Sequence, residues 1–194
     1  QGTKKLYVFG GEFAERPDSA YPAQVLEIET TSLFGLKATV YAPAGDSCSN
    51  IALKGLTAAV VGNSTNEHVV IFGGKASDGA CVDDLSLFTP LTAEQLATFS
   101  NGRASATEGE EGAEGSEETG KPSPWIRLTC SDDQEKPCPR FFHTCVCAGP
   151  NKDMVILYGG QNEAGDLLSD VWICDLSDVV SSLAPPILSE DGDA

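Results

Sequence analysis

Cys130, Cys138, His143, Cys145 and Cys147 fall close together and are the residue types that bind metals or move protons. A structural zinc site needs four such ligands converging on a tetrahedron, with about two to four residues usually lying between paired cysteines. No two of these cysteines have that spacing. Cys145 and Cys147, two residues apart, share one strand face, as two thiols in an apolar core also would. His143 and His68 are the two histidines of the chain, and either is a possible ligand or general base near neutral pH. His143 is expected to be buried and bonded to neighbouring backbone, and His68 to sit at a hairpin edge. Asp83, Asp84, Asp170 and Asp175 suggest acid–base work. Beside strands, however, Asp more simply caps turns by bonding nearby backbone. Arg140 is expected to pair with a carboxylate or a backbone carbonyl. No catalytic, cofactor or metal site is assigned, and no cofactor is expected.

Three glycine pairs, Gly10-Gly11, Gly73-Gly74 and Gly159-Gly160, resemble phosphate loops only superficially. No Gly-x-Gly-x-x-Gly and no Gly-Lys-Ser/Thr opens a helix after them, and no Gly-x-Ser-x-Gly occurs. What they share is what precedes them: Leu6-Tyr7-Val8-Phe9, Val69-Val70-Ile71-Phe72 and Val155-Ile156-Leu157-Tyr158. Each is a short β-branched or aromatic run stopped by a turn, so each predicts a buried strand. The flanks repeat too. Asp84 lies ten residues after Gly74, and Asp170 ten after Gly160. Each begins an alternating segment, as does Gln24 in the first unit. Upstream, Arg140 precedes Gly159 by 19 residues and Lys54 precedes Gly73 by 19. This spacing aligns Lys54 with Arg140 and Thr57 with His143. Trp125 leads a further strand, whose counterpart is expected within Leu36–Tyr41. Gly62-Asn63 suits a hairpin turn. Asn63-Ser64-Thr65 matches a glycosylation acceptor, which matters only in a secreted chain.

The third unit, with Arg140, His143, Gly159, Gly160, Asp170, Trp172 and the preceding Trp125, resembles the kelch repeat. The second unit departs from that pattern where Ser86 replaces the Trp. The resemblance implies an all-β fold built of kelch-type β-propeller blades, each a four-stranded antiparallel sheet. Spacings of 63 and 86 residues between the glycine pairs exceed the about 50 of a kelch unit. Insertions at Ala42–Asn50 and Asn101–Gly120 account for the excess. About three blades cannot close a ring that normally has about 4 to 8. The ring is therefore expected to be completed by missing blades or by another chain, and the opening at Gln1 fits a portion of a larger propeller.

The chain has 194 residues, 41% of them hydrophobic, and a formal charge of −17. Part of it can bury a core. The charge speaks against binding a nucleic-acid backbone or an anionic membrane surface. No apolar run approaches the about 20 residues of a membrane span, and no secretory leader is visible. Seven cysteines, an odd number without Cys-x-x-Cys, suit reduced thiols and a cytoplasmic setting. Asn101–Gly120 carries six Glu and no Val, Ile, Leu or aromatic residue, so it is expected to be disordered. It reads either as a solvated loop or as an arm that docks a basic partner. The expected organisation is two units over 1–100 (the first incomplete), the insertion at 101–120, the third unit with its preceding outer strand at 121–180, and an acidic tail at 181–194. The resemblance implies a protein-interaction module. An enzyme of a kelch-like kind, with oxidase or sugar-modifying chemistry held mostly outside this chain, is the alternative.

Overall fold

The computed structural model describes residues 4–11, 25–32, 35–41, 53–63, 66–90, 124–130 and 134–183. Cys48, Gln24, the insertions at 42–50 and 101–120, and positions 184–194 lie outside the described residues. Strands β1 (Lys4–Phe9), β2 (Val25–Ser32) and β3 (Gly35–Tyr41) form one antiparallel sheet in that order. Strands β4 (Thr57–Val61), β5 (His68–Phe72), β6 (Leu85–Phe88) and β7 (Trp125–Leu128) form the second. The third holds β8 (Thr144–Ala148), β9 (Met154–Gln161) and β10 (Leu167–Asp175), and a short helix α1 (Ser177–Ser182) follows. The fold is all-β, built of antiparallel sheets that follow one another along the chain. Each predicted apolar run before a glycine pair is a strand, and β3 is the expected counterpart of the Trp125 strand.

The second sheet lies between the other two because β5 is apolar on both faces. Its residues are buried throughout. Val69 and Ile71 pack with Val25, Phe88 and Trp125, and Tyr7 and Phe9 close that layer from the first sheet. Val70 points the other way, into a layer with Leu87 and Val155. Alternation at period two thus assigns each side chain to one neighbouring sheet. Phe88 sits at the centre of the first layer, with the rings of Tyr7 and Phe9 each 5.4 Å away and Trp125 at 5.0 Å.

Strand registers correct the alignment of the second and third units by one residue. Lys54 and Lys75 exchange two backbone hydrogen bonds, just as Phe141 and Gln161 do. Thr57 lies opposite Phe72, and Thr144 opposite Tyr158. Gly55 at φ 66° and Phe142 at φ 55° occupy the same left-handed turn. Leu53, not Lys54, therefore takes the place of Arg140, and Leu56, not Thr57, takes that of His143. The hairpin from Gly62 to Glu67 is one residue longer than that from Gly149 to Asp153, which offsets everything before it.

Helix α1 begins within the expected third unit and its last two residues enter the expected tail, and the strand pattern gives no warning of it. Asp175 Oδ1 accepts from the Ser177 N–H at 2.9 Å and from its hydroxyl at 2.6 Å, starting the turn. Leu176 and Val180, four residues apart, then share one face against Val61 and Val155. A Phe88→Ala substitution would empty the centre of the first layer. It is expected to cost about 3–5 kcal/mol, read as a lower urea midpoint at an unchanged slope.

Candidate functional site

Arg140 enters the third sheet just before β8, with no exposed side-chain surface. It is held from several directions. Its two terminal nitrogens donate to both carboxylate oxygens of Asp170, at 2.6 and 2.7 Å. One also donates to Gly159 O at 3.0 Å, while Nε donates to Cys138 O at 3.1 Å. A planar guanidinium fits this two-pronged pairing where an ammonium would not. Asp170 in turn accepts from Trp172 Nε1 at 2.6 Å. The expected partners of Arg140, a carboxylate and a carbonyl, are thus both present, and Arg140, Gly159, Asp170 and Trp172 meet in one cluster. A register shift in β10 between Leu168 and Val171 lies at Asp170. Such bulges re-aim a side chain. Hydrogen bonds from Arg140, then from Trp172, hold the Asp170 carboxyl well below the usual carboxylate range.

In the second sheet Leu53 stands where Arg140 would, so Asp84 cannot pair in the same way. It pairs instead with Arg127 on β7. Asp83 pairs with Lys136 at 2.8 Å. These ion pairs border a cleft of about 800 Å³ between the second and third sheets, whose wall also includes Trp172 and Asp175. Asp175 serves α1 rather than any reacting group.

His143 is buried, and its close hydrogen-bond partner is a side chain of the second sheet. Its Nε2 shares a hydrogen bond of 2.6 Å with Thr57 Oγ1 from the second sheet. Its ring stands edge-on to Phe72, 5.3 Å between centres. Nδ1 is buried with no hydrogen-bond partner among the described residues. Burial, and next the Arg140 charge, push His143 down to about 4, against a smaller opposing effect of the Phe72 backbone. The ring is neutral near pH 7. His68 opens β5 at the edge of the hairpin, as expected, and is buried there. Asn66 Nδ2 donates to Val180 O at 3.1 Å, which fixes the amide, so His68 Nε2 donates to Asn66 Oδ1 at 2.9 Å. Thr89 Oγ1 lies 2.8 Å from Nδ1. Burial lowers the His68 pKa as well.

The glycine pairs are where one sheet meets the next. Gly11 N donates to Leu53 O at 3.0 Å, and Gly74 N donates to Arg140 O at 2.8 Å. Leu53 and Arg140 are equivalent, so this is one bond repeated. A Cβ at Gly73 would lie 2.6 Å from Arg140 O and 2.8 Å from His143 Cε1, at φ +63°. Only glycine permits that approach. Gly10, Gly11, Gly159 and Gly160 also have positive φ. Trp125 lies in the first apolar layer with Phe88.

The six described cysteines are free thiols. Cys145, Cys147 and Cys174 line the second apolar layer. Burial pushes the Cys145 thiol up to about 11, which keeps it protonated and unreactive. Among the described residues no group of three or more His, Cys, Asp and Glu is placed to hold a metal ion. None of their helices is long and apolar enough to cross a membrane.

No family model and no curated protein matches the chain. Among solved structures it is similar to YjhT, at a TM-score of 0.49 and 15% identity, over 90% of this chain and 40% of that one. The chain thus spans less than half of the length of YjhT.

The cluster's energetics give two expectations. Asp170→Asn leaves Arg140 buried beside a neutral partner. A fully buried pair so broken loses about 3–5 kcal/mol. The Asp170 side chain is 40% exposed, so a loss of about 2–3 kcal/mol is expected in urea unfolding. Acidification acts through His143. Its folded pKa of about 4 lies below the unfolded value of about 6.5, so the unfolded chain takes up the proton first. Stability should be full above about pH 6.5 and fall toward pH 4, by at most about 1.4 kcal/mol per pH unit for this one group. His143→Gln should flatten that part of the urea-midpoint profile; an unchanged slope would refute the assignment.

Proposed function

We propose that this chain is part of a kelch-type β-propeller and serves as a non-catalytic protein-interaction module. The Arg140–Asp170–Trp172 cluster carries the reading. Those motif residues are consumed in fixing Arg140 in the third sheet, which leaves recognition to the loops. The loop from Asn162 to Asp166 suits that role. Asn162 Oδ1 accepts from the Asp166 N–H at 2.8 Å, and its Nδ2 donates to the Asp166 carboxylate at 3.0 Å, so the loop is pre-shaped. Glu163 and Asp166 are exposed on it, and Leu167 beside them is 85% exposed.

The corresponding loop of the second sheet adjoins it. Burial is the main cause that raises the Cys81 thiol, and the Glu163 charge is near enough to add to it. Exposed Asp78 lies on that same neighbouring loop. An apolar residue rimmed by carboxylates fits a protein partner with a basic, amphipathic segment. The net charge of −17 supports a protein partner over nucleic acid or an anionic membrane. Unbridged thiols support a cytoplasmic location. Further blades or another chain would complete the ring.

Partners are to be identified by crosslinking to the intact chain and then titrated. A Glu163→Lys, Asp166→Lys, Leu167→Asp variant is expected to bind at least about tenfold more weakly, with unfolding unchanged. Unchanged affinity would reject the loop surface. Stoichiometric copper or iron in the purified protein would reject the non-catalytic reading in favour of the kelch-like enzyme.

A further inference from the structure

The two outer sheet faces of the molecule are apolar and uncovered among the described residues. On the third sheet Val146, Tyr158, Val171 and Ile173 are 50%, 55%, 61% and 66% exposed. On the first sheet Leu6 and Val8 are 57% and 44% exposed. Single exposed aliphatics are ordinary, but two contiguous apolar sheet faces mark contact surfaces.

The registers say what each face is built to meet. Val146, Tyr158, Val171 and Ile173 occupy the positions that Ala59, Phe72, Leu85 and Leu87 hold in the second sheet. Phe72 meets His143 across the join to the third sheet, and Ala59, Leu85 and Leu87 lie in the layer shared with Val155. The free face of the third sheet therefore repeats the face by which the second sheet holds the third. At the other end, Leu6 and Val8 occupy the positions of Val155 and Leu157, while Leu26 and Ile28 occupy those of Trp172 and Cys174. Val155 and Cys174 are part of the layer by which the third sheet is held. One end thus carries the holding face and the other end carries the held face. The two faces are complementary in the sense already realised inside the molecule.

We propose that the free face of the third sheet receives the free face of the first sheet of a second copy of this chain, head to tail. The inference rests on the propeller reading and goes beyond it by fixing the occupant and the residues. An unlike pair of faces repeats indefinitely unless the rotation closes. Two copies supply six sheets, within the about 4 to 8 that close a ring. A closed pair uses both faces of both copies and leaves none to extend.

Sedimentation velocity of the 194-residue chain tests this, and a dimer that grows no further with concentration is expected. Ile173→Glu and Leu6→Glu, each made alone, should give monomers whose circular dichroism and urea unfolding stay those of a folded β protein. The milder Val171→Thr should weaken the dimer at least about tenfold if glutamate disturbs folding. Mixing the Ile173→Glu and Leu6→Glu chains should restore a dimer, because one intact face of each kind remains. A folded wild-type monomer would overturn the proposal, as would a dimer indifferent to both substitutions or a failure of the mixture to pair. A wild-type monomer that still binds its protein partner through the loops would overturn only this inference.

Discussion

One backbone hydrogen bond sets the geometry of the molecule: the N–H of the second glycine of a pair donating to the carbonyl at the entry of the following sheet. It recurs as Gly11 to Leu53 and Gly74 to Arg140. At the second join a Cβ on Gly73 would lie 2.6 Å from the Arg140 carbonyl oxygen, where only hydrogen fits, while a Cβ on Gly11 would meet no neighbour and that position is held to glycine by its φ of +128°. The bond explains the apolar layers as well. With the sheet entries fixed by it, the strands behind them must stack face to face, and their side chains must alternate between two neighbours. Val69 and Ile71 go one way and Val70 the other as a result. Where the sequence replaces an aliphatic residue with an ion, as at Arg140, the same join is stabilised by a different route. The guanidinium is fully withdrawn from water and can be tolerated only because Asp170, Gly159 and Cys138 satisfy its donors.

Much of this was legible in the sequence because it depends on period and glycine placement. Four-residue β-branched runs ending in Gly-Gly can hardly be anything but strands at a tight turn, and the ten-residue spacing to Asp84 and Asp170 located β6 and β10. The partners of Arg140 followed from its chemistry. What was misread has a common cause: a hairpin loop can gain a residue without disturbing either strand. Two basic residues, Lys54 and Arg140, looked equivalent by counting back from the glycines. The longer loop at Gly62–Glu67 made that count wrong by one. Phe142 in a left-handed conformation hid its equivalence to Gly55, since a phenylalanine gives no sign of a turn that glycine usually marks. Helix α1 was missed for a different reason. Six residues are too few for a helical period to emerge, and its stability comes from the layer it covers rather than from propensity.

His143 shows how a residue that looks chemical becomes architectural. Its partner is neither a backbone group of its own turn nor a reacting species. It is a hydroxyl on the preceding sheet, and its ring sits against the aromatic residue that ends β5. The pKa that falls to about 4 follows from being sealed between two sheets next to a guanidinium. A perturbed titration here reports a join between repeats, which is the commoner reason for such a shift where no cleft surrounds the group.

The burial of β5 on both sides has a consequence for how this sequence can vary. A side chain at one position of β10 answers to one neighbour, so an exchange there can be absorbed by local repacking. Along β5, adjacent residues answer to different layers, and a change of backbone position that relieves one layer disturbs the other. Acceptable substitutions in that strand must then come in sets drawn from both adjoining sheets. A repeat inserted or lost from such a stack must carry its whole set with it.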